Sequence, residues 1–195
     1  IEVSAGEDWD KFVEQTIEKG FADLESLSGI PGTVGGAPIQ NIGAYGHEVS
    51  ETIARVKAYD RKKGEVITFT NEQCHFSYRN SAFKEDAGRY VILNVTFQLR
   101  KGEMSLPITY AELANYLSVN LGDRAPVMKV RQAVLELRGR KGMLINSTDV
   151  NSNSAGSFFV NPILTKEIAD KLPADAPRWP QPDGRVKTSA AWLME

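Results

Sequence analysis

Three stretches of alternating polarity decide most of what this chain can fold into. In Tyr90–Arg100, Val91, Leu93, Val95, Phe97 and Leu99 share one face and Asn94, Thr96, Gln98 and Arg100 the other, the period of a strand with one side on a core. Ile53–Tyr59 and Glu65–Thr70 repeat that period around Asp60–Gly64, whose Asp, Lys and Gly residues suit a hairpin loop. Such alternation implies antiparallel pairing, because parallel strands are covered on both faces and lose it. Elsewhere the period is helical. Trp9, Phe12, Val13, Thr16 and Ile17 follow Asp8 and stop before Gly20. A shorter helical turn is expected in Ala22–Leu27. Val127, Val130, Val134 and Leu137 follow Pro126 and end near Gly142. The expected fold class is α+β, a mainly antiparallel sheet with flanking helices.

Asn146–Ser154 is rich in Ser, Asn and Asp and marks a loop. It divides an expected domain at residues 1–146 from a partial small α+β domain at residues 147–195. In the latter, Ser157–Phe159 is expected as a strand and Lys166–Lys171 as a helical turn, before the Pro-rich Pro173–Gly184. The 195 residues carry a formal net charge of −2, which supplies no broad positive field for nucleic acid. Cys74 is the single cysteine, so no internal disulfide forms, as suits a reducing compartment. No apolar run approaches the roughly 20 residues of a membrane span. The expectation is a cytoplasmic monomer with small-molecule ligands, no nucleic-acid or membrane partner and no metal site. Ile1–Gly6 reads as the tail of a strand and Ala190–Glu195 has no terminator, so a piece cut at both ends is expected.

Gly29–Gly46 contains Gly29, Gly32, Gly35, Gly36, Gly43 and Gly46, stiffened by Pro31 and Pro38, with the amides Gln40 and Asn41 between them. Glycine lets a backbone approach a ligand and turn successive N–H groups toward a phosphate. The run lacks the strand–glycines–helix setting of a dinucleotide fingerprint and the Gly-Lys-Ser/Thr of a P-loop. By itself it is either a turn region or a backbone-lined cradle. Arg79, between Tyr78 and Phe83, is either a fork for a carboxylate or a surface arginine packed on aromatics. Arg138, Arg140 and Lys141 at a helix end answer the macrodipole or neutralise a diphosphate. Tyr110 precedes a helix and reads equally as a core aromatic. Ser157, after two small residues and before two aromatics, is a turn-capping serine or a proton donor. A nucleophilic role lacks a base, because neither His47 nor His75 stands in a suitable motif.

Taken together, Gly32-Thr33-Val34-Gly35-Gly36, Gln40-Asn41-Ile42-Gly43-Ala44-Tyr45-Gly46, Tyr78-Arg79-Asn80-Ser81 and Gly156-Ser157-Phe158-Phe159-Val160-Asn161-Pro162 resemble the UDP-N-acetylenolpyruvoylglucosamine reductases. The resemblance implies a flavin-binding domain of the vanillyl-alcohol-oxidase type and an FAD- and NADPH-dependent reduction of UDP-N-acetylglucosamine enolpyruvate, a step of peptidoglycan precursor synthesis. It implies flavin contacts at Gly32, Thr33, Val34, Gly35, Gly36, Gln40, Asn41, Gly43 and Ala44. It makes Arg79 the polariser of the substrate carboxylate and Ser157 the acid that protonates the enol. Tyr45, Tyr110, Arg138, Lys141, Asn161 and Lys187 are its substrate contacts. Trp179 stands where that family often has a tyrosine. The family's N-terminal domain and catalytic glutamate are expected outside these residues, leaving this stretch inactive and a weak FAD binder. A flavin oxidase of the same fold and a non-catalytic flavin or nucleotide-sugar binding module are the alternatives.

Overall fold

The computed structural model describes residues 1–153 and 157–194. It divides into two compact units, Ile1–Ser154 and Ala155–Glu195.

The first unit contains β1 (Glu2–Ser4), α1 (Trp9–Glu18), β2 (Gly43–Ala44), β3 (His47–Glu48), β4 (Ile53–Asp60), β5 (Glu65–Thr70), α2 (Ala82–Glu85), β6 (Tyr90–Phe97), α3 (Ala111–Leu117) and α4 (Val127–Arg140). Its four-stranded sheet has the order β1-β6-β4-β5, every pair antiparallel. β2 and β3 form a separate short hairpin. The helix expected after Asp8 is α1, and the Asp8 carboxylate accepts from the Lys11 amide at 2.9 Å as an N-cap. The turn expected in Ala22–Leu27 is a single 3₁₀ turn, Glu25–Leu27.

The strand at residue 90 departs from its expected pattern in two ways. It ends at Phe97, and beyond it the Arg100 carbonyl accepts from the Ala22 amide, leading the chain away. Its register against β4 also slips, pairing Lys57 with Asn94 but Ala58 with Ile92. Leu93 is thus an extra residue, a bulge that reverses which side chains face inward. Val95 and Phe97 are buried, whereas Tyr90 and Ile92, not Val91, pack on the core before the bulge.

Trp9 anchors that core, its indole N–H donating to the Leu27 carbonyl at 2.9 Å, with Phe12 and Phe97 against it. α4 is bound to α1 by Arg131, nearly buried, which donates to Asp10 Oδ1 at 2.7 Å and Oδ2 at 3.0 Å. A second cluster of Tyr45, Ile108, Leu113, Val130, Val134 and Leu137 joins α3 to α4.

The second unit contains β7 (Ile163–Leu164), α5 (Lys166–Ala169), β8 (Arg178–Pro180), β9 (Val186–Thr188) and α6 (Ala190–Met194). Its antiparallel sheet has the order β7-β9-β8. Ser157–Phe159 is not the strand its aromatic composition suggested, because β9 finds its ladder partner at Ile163–Leu164. The two phenylalanines meet edge to face, 5.1 Å apart, with Phe158 78% exposed. The Gly156 position of that motif lies outside the described residues.

Candidate functional site

The glycine-rich segment holds itself. The amides of Val34 and Gly35 donate to Glu7 and Ala5 carbonyls at 2.9 Å, and that of Gly36 to Thr33 at 3.0 Å. Those of Ala37, Ile39, Asn41 and Ile42 also donate to carbonyls of the segment. These seven amides are thus engaged by carbonyls of the chain itself. Val34, Gly35 and Asn41 are buried. A Cβ on Gly35 would lie 2.5 Å from that of Ala5, so this glycine permits the chain just after β1 to pass close by. The Asn41 carboxamide donates to Glu48 Oε2 at 2.6 Å and to the Ser77 carbonyl at 3.1 Å, and accepts from the Ser50 amide at 3.1 Å. What stays at the surface is Gly32, Thr33, Gly36 and Gln40, with Gly43 and Ala44 half-exposed. Gly32 takes φ 123°, with nothing within 4 Å of the place a Cβ would occupy. That open backbone rim fits the approach of a flat ring, as a flavin site requires.

Arg79 closes the rim from one side. Its backbone is left-handed at φ 54°, the stem lies against Tyr78 with the guanidinium carbon 5.0 Å from the ring centre, and Nη2 donates to the Gly43 carbonyl at 2.6 Å. Nη1 donates to the Asn41 carbonyl at 3.3 Å and lies 3.6 Å from Glu48 Oε1. A Cβ on Gly43 would sit 2.7 Å from Nη1, so the glycine there is what admits the guanidinium. Glu48, a hydrogen-bond partner of Asn41 and a charge partner of Arg79, belongs to this site. Its only sequence signal is its place just beyond Gly46.

Tyr45, Tyr110, Arg138 and Lys141, far apart in sequence, come to one place. The rings of Tyr45 and Tyr110 meet edge to face with centres 5.5 Å apart. Tyr45 is buried and Tyr110 is 45% exposed. Burial foremost, with the charge of Glu112 behind it, pushes the Tyr45 phenol up, and Arg138 pulls the other way. Lys141 Nζ donates to Glu112 at 2.6 Å. Arg138 is half-buried and already engaged, its Nε donating to the Gly29 carbonyl at 3.2 Å and Nη2 to Met143 at 3.1 Å. Arg140 pairs with Glu136 at 2.6 Å on the exposed side of α4. Gly29 is gripped at both ends, since its amide donates to Asp10 Oδ1 at 2.6 Å. Arg131 and Glu112 are the residues here that the sequence patterns do not single out, and Asp10 is legible only as an acidic residue in the first turn of α1. The Asp10 carboxyl is pulled down: burial works against this, and hydrogen bonds from Arg131 and Gly29 outweigh it.

In the second unit, Ser157 is exposed at the head of its motif. Asn161 is half-buried, and its Oδ1 accepts from the Ala190 amide at 2.9 Å, capping α6. Lys187 lies on β9 with its ammonium 5.9 Å from the Trp179 ring centre, so the tryptophan offers a cation a π face where a tyrosine would offer a hydroxyl. Cys74 is fully buried, which pushes its thiol up to about 12, an inert group. Among the described residues no cluster of His, Cys, Asp and Glu could hold a metal ion, and no helix is long and apolar enough to cross a membrane.

An FAD-binding-domain family matches residues 1–70. The UDP-N-acetylenolpyruvoylglucosamine reductase of Cutibacterium acnes is 51% identical over 195 residues, spanning 100% of this chain and 51% of that protein. Its counterpart in Streptomyces avermitilis is 50% identical over 206 residues, spanning 100% and 57%. The chain thus covers little more than half the length of these curated relatives. The crystal structure of the Thermus caldophilus UDP-N-acetylenolpyruvylglucosamine reductase superposes with a TM-score of 0.57 at 24% identity, over 83% of this chain and 48% of that one. This is a likeness of fold.

Proposed function

Since this chain belongs to the UDP-N-acetylenolpyruvoylglucosamine reductase family, we propose that the whole protein reduces UDP-N-acetylglucosamine enolpyruvate to UDP-N-acetylmuramate, using FAD and NADPH, in peptidoglycan precursor synthesis. The observation that carries this reading is Arg79, its guanidinium tethered 2.6 Å from the Gly43 carbonyl at the edge of the open rim. Gly32, Thr33, Val34, Gly35, Gly36, Gln40, Asn41, Gly43 and Ala44 would hold the flavin, with Gly32, Thr33, Gly36 and Gln40 at the surface. When bound, FAD supplies the hydride that reduces the enolpyruvyl double bond. Arg79 keeps N–H groups beyond those given to Gly43 and Asn41, and in this reading they orient the substrate carboxylate and draw electron density from C3. Tyr45 and Tyr110 pack against the sugar nucleotide. Arg138, Lys141, Asn161 and Lys187 are the further substrate contacts of this reading. Ser157 donates its proton to C2. Residues 1–146 then act as the flavin side, residues 147–195 as part of the substrate side, and the protein works as a cytoplasmic monomer.

NADPH oxidation by the whole protein, with and without UDP-N-acetylglucosamine enolpyruvate, tests the reading. Consumption that depends on the sugar nucleotide is the expected result. Oxidation coupled to oxygen alone would point to a flavin oxidase, and binding without consumption to a non-catalytic module. Arg79→Lys should lower kcat/KM by about tenfold to a hundredfold, the worth of a charge-assisted fork. Ser157→Ala should leave flavin reduction by NADPH intact and abolish turnover of the sugar nucleotide.

A further inference from the structure

Residues 106–110 carry Tyr110 to the start of α3, and ionisable groups hold this strap in place. The Leu106 amide donates to Glu25 Oε1 at 3.2 Å. The Pro107 carbonyl lies 3.1 Å from His47 Nε2, and the other ring nitrogen, Nδ1, lies 2.8 Å from Glu51 Oε2. A carbonyl and a carboxylate are acceptors. A neutral imidazole has one N–H and can satisfy only one of them, whereas the imidazolium satisfies both. Thr109 presses on Gly46, where any Cβ would collide with its side chain, so the strap meets the glycine-rich segment immediately beside His47.

We propose that His47 is a positioning residue: as the imidazolium it ties the 106–110 strap to the glycine-rich segment through Pro107, and so holds Tyr110 on Tyr45. Losing the proton leaves one N–H for two acceptors. The carboxylate is the stronger acceptor, so the Pro107 tether is the one released. The charged groups facing the ring are Glu51 on the turn Val49–Glu51 and Glu25 on the turn Glu25–Leu27, and both favour the cation. Burial draws the imidazole down, but the Glu51 hydrogen bond and these charges outweigh it and leave it raised above 6.5. For a group raised on folding, the tether is complete below pH 6.5 and is lost as pH climbs through the higher folded value.

The test starts with this chain. It has two histidines, so His75→Gln identifies the His47 imidazole signal in an NMR titration. Amide protection at Leu106 and Ile108, corrected for intrinsic exchange, should fall about tenfold as His47 deprotonates, while amides of α1 stay unchanged. Glu51→Gln should erase that pH dependence. Its amide can donate to Nδ1 of a neutral ring, freeing Nε2–H for Pro107, while its carbonyl keeps the Glu48 amide that Glu51 Oε1 accepts at 2.8 Å. Protection that stays flat through the His47 titration, or a pH dependence that persists in both Glu51→Gln and His47→Gln, overturns the proposal. A second arm rests on the proposed function: in the whole protein, KM for the sugar nucleotide should rise over the same pH range while kcat holds, and flatten in Glu51→Gln. A strap that loosens without a change in KM supports the tether and counts against Tyr110 as a substrate contact.

Discussion

The two units are held together by different forces. The first buries large apolar side chains, among them Trp9, Leu24, Leu27, Leu113 and Phe97, each at least 98% covered. In the second, the buried apolar residues among those described are Ala169, Ala176 and Ala190, while Phe158, Phe159, Val160, Ile168 and Met194 are exposed. An alanine removes little apolar surface from water, so burial there contributes little at about 25 cal/mol per Å². Hydrogen bonds to the main chain supply the order instead. The Arg178 guanidinium donates to the carbonyls of Leu172 at 2.8 Å, Pro173 and Ala176 at 2.9 Å and Ala174 at 3.2 Å. Fully buried Thr188 donates to Pro177 at 2.8 Å, and Asn161 caps α6. A unit built this way opens locally at low cost, whereas the apolar unit unfolds as a whole.

Substitutions can separate these modes. Trp9→Ala should cost the first unit roughly 3–5 kcal/mol, since it leaves a large cavity and an unpaired Leu27 carbonyl, and chemical denaturation would measure it. A loss under 1 kcal/mol would mean that the first core is no tighter than the second. Arg178→Ala should cost about 2–3 kcal/mol by stranding several carbonyls. Hydrogen exchange should show the loss in residues 163–188 alone, and loosening that spreads to α1 would contradict the division. Acid should act on the first unit through Asp60, whose carboxyl accepts from Arg89 and from the Lys62 and Lys63 amides. These partners, Arg89 first, pull it down to about 2. The stabilisation is present above 3.8 and is lost as pH falls toward 2. Exchange at the Lys62 amide should therefore quicken in that window, and Asp60→Asn should flatten the response. Trp179→Tyr should be the mildest, at about 0.5 kcal/mol or less, because the contact with half-buried Lys187 survives on a weaker π face; thermal unfolding of the second unit would register it.

Local chemistry was readable where it acts over a few residues. The helix that starts after Asp8, the helix after Pro126 and the turn at Asp60–Gly64 all rest on contacts within one turn. The bulge at Leu93 was not, because it exists only in the pairing with β4, and alternation along a single strand carries no record of its partner's register. The ion pair of Asp10 with Arg131, 121 positions apart, lies equally beyond any local pattern.

The glycine-rich segment shows the division most clearly. Its composition determined a backbone able to take φ 123° at Gly32 and to admit a guanidinium beside Gly43, because both follow from a missing Cβ. Which of its groups face outward was decided by the tertiary structure. The Ala5 and Glu7 carbonyls between β1 and α1, the segment's own carbonyls and Glu48 on β3 take up the inner amides and the Asn41 side chain, as buried donors require. The same reasoning brings Tyr45, Tyr110, Arg138 and Lys141 together: their residue types were legible, and only the packing of α3 on α4 could make them neighbours.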